Sequence, residues 1–352
     1  AQGTAALYDP ELAELEAAGA RALLDGAAER GELLRLDWLE GRVAVANSAG
    51  LRRGVRVTAA SFEASCGRGP GAGSAAGAAR QFDSLGLAAT LDRARSRHAP
   101  DGSPLPAPAT GVPADPILVL SEQSAAALLD LLNRHALSAA TMRDGTSWLG
   151  GRLGEPLFAH CLNLRDDGTD PRALPFPFDL AGWPKRPVDL IVSGVFATPA
   201  VDPRLGQQIG RQPTPHAMAP DESIAANLLL LPGSLAPLQE SELLRSAGDG
   251  IWVGALAGVE CFDPRRLRFR ALARGVRRIA GGVLGPPLPD LLWEDSLPAA
   301  LARCQALGDR PVAIATGDIL FGATAAPLLA LGASGQLTAL HATAASAPGD
   351  QG

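Results

Sequence analysis

The chain has 352 residues, 47% of them hydrophobic, with 40 glycines and 29 prolines; this is enough apolar material for the core of one large or two ordinary domains broken by many turns. A formal net charge of −6 and an isoelectric point near 5.5 argue against a nucleic-acid surface, which calls for a clustered basic face. No run of about 18 apolar residues marks a membrane span, and the N-terminus lacks the basic-then-apolar order of a signal peptide, so a soluble protein of the cytoplasm is expected.

In chain order, Asp9-Pro10 opens a helix-like pattern over residues 9–30, with Leu12, Leu15, Ala18, Ala22 and Leu23 near helical spacing. Trp38–Ala46 and Val55–Phe62 read as strands around an Asn47-Ser48-Ala49-Gly50 turn, and Gly67–Gly77 as a Gly/Ala/Ser-rich loop. A second helix is expected at Leu85–His98. The stretch 99–116 carries six prolines, which preclude regular structure and place a domain boundary there. Ile117–Leu120 is a short buried-type strand, and Ser121 caps a helix over Ala125–Ala136.

Short strands separated by Gly/Pro turns then run to about Leu284, interrupted by a helical reading at Gln239–Ala247. A last helix is expected at Pro298–Leu307. Within this half, Leu157, Phe158, Leu162 and Leu164 form a short apolar strand. Asp166-Asp167-Gly168-Thr169 is the turn that follows it. Val188–Phe196 reads as a hairpin turning at Ser193-Gly194. Arg268, Phe269 and Arg270 alternate as on a half-exposed strand, which makes the arginine-rich run around them a solvated sheet face. The pattern as a whole is α+β with a β-rich second half.

Chemistry is sparse. Cys66, Cys161, Cys261 and Cys304 form no C-x-x-C pair, so reduced thiols are expected rather than a zinc ribbon or a disulfide framework. His160 and Cys161 are neighbours on a strand and point to opposite faces, a poor arrangement for Cys-His catalysis. Serine-hydrolase and phosphate-loop motifs are absent. The carboxylates Asp166, Asp167, Asp179 and Asp189 remain, together with His216 in a Thr-Pro-His turn. Asp166 and Asp167 are expected to fix their turn by Asx hydrogen bonds. Lys185 is the only lysine in the chain, which reads as a sign of genome composition.

The series from Asp166-Asp167-Gly168 through Phe178-Asp179 to Leu190-Ile191 and Gly194-Val195-Phe196 resembles the TldD/TldE (PmbA) metallopeptidase family. Weaker matches follow in order: Val43–Gly50, Asn227-Leu228 to Pro232-Gly233-Ser234, Gly250–Val253, Gly275-Val276 to Gly281-Gly282, and Ala326–Leu329 to Gly335-Gln336. The resemblance implies a shortened N-terminal α/β domain at 1–108, a β-rich domain with a large curved, mostly antiparallel sheet at 109–340, and a polar tail at 341–352.

Catalytic members of the family carry HE-x-x-x-H on the helix after the strand equivalent to Ile117–Leu120, two histidines holding Zn²⁺ and the glutamate acting as general base. Here that helix offers Asp130 and His135, with Leu128, Leu129, Leu131 and Leu132 at the ligand positions. The family's glutamate in its D-x-EG segment is Ala181. The resemblance therefore implies a TldE/PmbA-like non-catalytic subunit, with no cofactor of its own and zinc in a TldD-like partner. It would handle unfolded or short peptides, with His216, Asp166, Asp167 and Asp179 near a substrate channel. A stand-alone homodimeric binding or scaffold protein is the alternative.

Overall fold

The computed structural model describes residues 7–29, 31–100, 102–105, 115–219, 222–333 and 335–340. The centre of the proline-rich stretch and the polar tail, with His341, lie outside the described residues.

The N-terminal layer is a three-stranded antiparallel sheet of β1 (Glu32–Ala46), β2 (Arg52–Cys66) and β3 (Gly73–Ala79). The turn between β1 and β2 is set by Asn47, whose Oδ1 accepts from the amides of Ala49 and Leu51, as an Asx turn does. The N-terminal helical pattern is broken into α1 (Pro10–Ala13) and α2 (Ala17–Ala27). Asp9 caps α1, and the Trp38 indole takes the carbonyl of Leu15 at 3.0 Å, a group that a continuous helix would have used itself.

Part of the expected Gly-rich loop is in fact β3, paired with β2 from Ala60↔Ala79 to Cys66↔Gly73. Its small residues are a packing requirement, because helix α3 (Leu87–Arg97) lies across the strand. A Cβ at Gly73 would stand 2.0 Å from the Ala94 carbonyl oxygen.

Beyond the boundary region come two six-stranded sheets and one four-stranded sheet, mostly antiparallel. In the first, β5 (Leu162–Asp166) lies between Leu228–Pro232 and β6 (Val188–Val192), with β7 (Val195–Phe196) at the edge. The β6–β7 hairpin turns at Ser193 and Gly194, both at positive φ. In the second, β4 (Ile117–Leu120) runs parallel to Ile251–Val253 and antiparallel to Leu329–Gly332. The four-stranded sheet contains Arg268–Arg274, whose alternating exposure matches the solvated-face reading. The chain is thus α+β, with the strands shared among several sheets.

Ser121 caps α4 (Glu122–Leu132), accepting from the Ser124 amide. Leu128, Leu129, Leu131 and Leu132 are all buried in one cluster with Leu118, Leu190, Phe269 and Trp293, so α4 runs through the main core rather than over the surface. One π turn, Asn133–Leu137, continues it. The last expected helix stops at Ala302, and Cys304–Leu307 instead becomes a strand paired with Leu329–Leu331. A free sheet edge won over helix continuation there, as tertiary pairing commonly overrides local preference.

Three buried arginines join the layers, Arg80, Arg97 and Arg277, the last donating from the second large sheet to the carbonyls of Arg97 and His98. Arg97, at the end of α3, makes a bidentate pair with Glu122 in the first turn of α4, at 2.8 and 3.0 Å. Arg80, just past β3, has no carboxylate in hydrogen-bond contact among the described residues. It donates instead to the carbonyls of Thr58, Leu174, Pro175, Ile319 and Leu320. Burial lowers its pKa to about 10, against the pull of Asp318, and the guanidinium stays charged.

Replacing Arg80 by leucine strands several buried carbonyls at about 1–3 kcal/mol each. The expected result is a loss of about 3 kcal/mol or more in urea unfolding, against less than about 1 kcal/mol for the exposed Arg266→Gln.

Candidate functional site

Asp166 ends β5 with its carboxylate completely buried. Oδ1 accepts the Asn227 amide at 2.7 Å. Oδ2 lies 3.2 Å from Lys185 Nζ and 3.2 Å from His216 Nε2. The histidine contact is an ion-pair distance without the alignment of a direct hydrogen bond. Burial pushes the Asp166 carboxyl up, but Lys185, His216 and the Asn227 amide together hold it well below the ordinary carboxylate range. His216 is shifted down, chiefly by burial, with Asp166 opposing. Its Nδ1 lies 2.7 Å from Thr214 Oγ1.

Asp179 is nearby and serves the backbone. Oδ1 accepts from Ala181 and Trp183, and Oδ2 from Ala217. Burial raises its pKa against those three amides. Asp167 keeps to its own turn, accepting from the amide and hydroxyl of Thr169. Asp189 is exposed on β6 and pairs with Arg165 at 2.7 Å; the other four sequence-level candidates sit inside the molecule, with His216 and Asp166 fully buried and Asp179 and Asp167 only 2% and 7% exposed. Their acceptors are spent on internal partners, because each lies where a strand end or turn needs its amides satisfied.

Lys185 is the member that sequence reasoning missed. Its isolation in a chain that otherwise uses arginine was the available signal. A compact ammonium suits a closed site with a single carboxylate partner better than a five-donor guanidinium does.

A second locus lies at the C-terminal end of α4. Asp130 Oδ2 accepts from Arg134 Nε at 2.7 Å, and Arg134 Nη2 donates to Thr316 O at 3.2 Å. Burial raises the Asp130 pKa, opposed by Arg134, and lowers that of His135. Asp130, Asn133 and Arg134 line a cavity of about 180 Å³ with Met218, Asp318 and Phe321, and His135 is not part of its lining. The π turn starts at Asn133, whose side-chain amide is held in both directions by the backbone of Ala225. Such turns often mark functional positions.

The donor set does not fit zinc. One carboxylate is occupied by an arginine, and the leucines around it are buried apolar groups. Among the described residues no three His, Cys, Asp or Glu side chains are grouped to hold a metal ion. His160 and Cys161 lie in the turn that leads into β5 rather than on the strand, His160 exposed beside Ser234 and Cys161 buried.

Residues 116–333 match the sequence profile of the PmbA/TldA metallopeptidase C-terminal domain. This chain belongs to the PmbA/TldD metallopeptidase family. No curated protein matches the chain as a whole by sequence. Among solved structures, a candidate modulator of a DNA gyrase from Thermotoga maritima superposes with a TM-score of 0.76 at 17% identity, over 95% of this chain and 76% of that one. TldE from Thermococcus kodakarensis gives 0.75 at 16% identity, over 94% and 76%. A candidate modulator of DNA gyrase from Bacteroides thetaiotaomicron gives 0.72 at 18%, over 97% and 76%. At these identities the likeness shows that the PmbA/TldD fold is shared. Among the described residues no helix is long and apolar enough to cross a membrane.

Asp166→Asn leaves Lys185 buried without a counter-charge and is expected to cost about 3–5 kcal/mol in urea unfolding; Asp167→Asn, which keeps the turn's acceptor, should cost about 1 kcal/mol or less. The network also sets a pH dependence. Burial holds His216 neutral in the fold, so unfolding takes up a proton below the ordinary histidine pKa of about 6.5. Its contribution is complete above that value and is lost as pH falls through the lowered folded value. Denaturant melts at pH 7.5 and 5.5 should show a smaller stability difference in His216→Gln than in the parent chain; an unchanged difference would rule out His216 as the source.

Proposed function

We propose that this chain is a TldE/PmbA-like, non-catalytic subunit that pairs with a zinc-bearing TldD-like subunit in a peptidase acting on unfolded or short peptides. The observation that carries the reading is α4. Where catalytic members of the family keep metal ligands and a general base, this helix presents buried leucines to the core and an Asp130–Arg134 ion pair to the cavity. The partner would bring Zn²⁺ and the base for the bound water.

The contribution of this chain would be a wall of the substrate channel, with sheet edges that can hold an extended peptide by main-chain hydrogen bonds. In this reading Asp166, Asp167, Asp179 and His216 act on the channel through the strand ends and turns they hold in place. The Asp130–Arg134 cavity is the place where this chain would meet a peptide end. The division into domains near residue 108 and a cytoplasmic location belong to the same proposal.

The test is reconstitution. Purified alone, the chain should bind no stoichiometric zinc and cleave neither casein nor short peptides. Co-expressed with an HE-x-x-x-H homologue from its own host, it should co-purify with that homologue and raise its peptidase activity. Arg134→Ala should lower the activity of the pair about tenfold without separating the subunits. One tightly held zinc per isolated chain would refute the reading, and self-association with no such partner in a native pull-down would favour the homodimeric scaffold instead.

A further inference from the structure

A cavity of about 340 Å³ lies on the seam between the N-terminal layer and the large sheets, walled by β3, the start of α3, the loop Pro171–Pro175 and the strand at Val312. Four arginines line it, Arg80, Arg93, Arg172 and Arg310, and its lining contains no Asp or Glu. Aspartates and glutamates exceed arginines and lysines in this chain, so an all-cationic wall runs against composition.

The carboxylates nearest these arginines are already engaged. Glu122 and Glu240, the two within Coulombic reach of Arg93, are both bound by Arg97. Asp170 takes Nε and Nη2 of Arg172. Asp318 lies within electrostatic reach of Arg80, whose donors are already given to carbonyls.

Two of the arginines have capacity to spare. Arg93 Nη2 donates to Ala76 O and Thr90 Oγ1, while Nε is shielded from solvent with no hydrogen-bond partner. Arg310 is exposed and makes no ion pair or side-chain hydrogen bond among the described residues. A buried guanidinium donor left unpaired beside a cavity costs stability unless something polar enters to meet it. Helix α3 adds to the field. It starts at Gly86 on the same wall with no side-chain cap, so its first-turn amides and dipole favour an anion there. Ser84 adds a hydroxyl.

We infer that this seam cavity binds a phosphate dianion, free or as a small phosphate monoester, held by Arg93 and Arg310 with Arg172 and the start of α3 completing the cradle. Charge converges on it from helix α3 and from loops on both sides of the seam. That arrangement suits a tetrahedral oxyanion, whereas a planar carboxylate is satisfied by one guanidinium fork. Because the walls come from both sides of the seam, a bound phosphate links the N-terminal layer to the rest of the fold and stabilises it by mass action. The site is separate from the α4 cavity and does not depend on a partner subunit.

Calorimetric titration of inorganic phosphate into the full chain, in chloride buffer of matched ionic strength, tests this. Saturable binding of one phosphate per chain is expected, weakened about tenfold in Arg310→Gln and in Arg93→Gln. The charge-matched surface variant Arg266→Gln should bind as the parent does. Arg310 is exposed, so its variant reports on the site even if Arg93→Gln folds poorly. Tighter binding of glycerol phosphate assigns the site to a monoester, and equal binding assigns it to the free ion. Absence of saturable heat, equal affinity in Arg310→Gln, or acetate binding as tightly as phosphate would overturn the inference.

Discussion

The fold depends on how one cation is buried. Arg80 sits where β3 leaves the N-terminal sheet, and its hydrogen bonds reach that sheet, the loop at 174–175 and the loop at 319–320. Oriented carbonyl dipoles replace the water it gave up, so no carboxylate has to be buried with it. The consequence is geometric. Five acceptors from separate segments converge on one planar group only if those segments keep a single arrangement, and the seam cavity and the packing of β3 under α3 inherit that arrangement.

The Asp166 network solves the opposite problem, a buried anion, with different means. Lys185, His216 and the Asn227 amide surround it at the end of β5. Asn227 extends the same connection, its Oδ1 accepting from Leu174 and its Nδ2 donating to Phe321 O. Leu174 and the loop before Phe321 are also held by Arg80, so the two buried charges brace the same two loops from opposite sides. Residues that looked like chemistry in the sequence are, in the fold, what keeps these loops in register.

The PmbA/TldD fold is therefore present, and its helix α4 is packed as core. Leucines on α4 belong to the main core, and the remaining polar pair, Asp130 and Arg134, is turned toward a small cavity beside a π turn. The leucine packing of α4 is the physical basis of the proposal that the catalytic step belongs to another chain.

Much of the architecture was legible in the sequence because it rests on local rules. The Asn47 turn, the Ser121 cap, the Ile117–Leu120 strand, the Ser193-Gly194 hairpin and the Asp167 Asx turn all follow from side chains acting on backbone within a few residues. The family was legible for the same reason, since its motifs are short local patterns in a fixed order. Tertiary structure decided the rest. The Gly/Ala run at 73–79 became a strand by pairing with β2, and its residues are small because α3 crosses it closely. The helix expected at 298–307 stopped at Ala302 because Leu329–Leu331 offered an unpaired sheet edge to residues 304–307. Arg80 and Lys185 gave no local sign of their partners, which lie at least 19 residues away along the chain. Burial and charge pairing depend on which distant segments meet, and one-dimensional spacing carries no record of that.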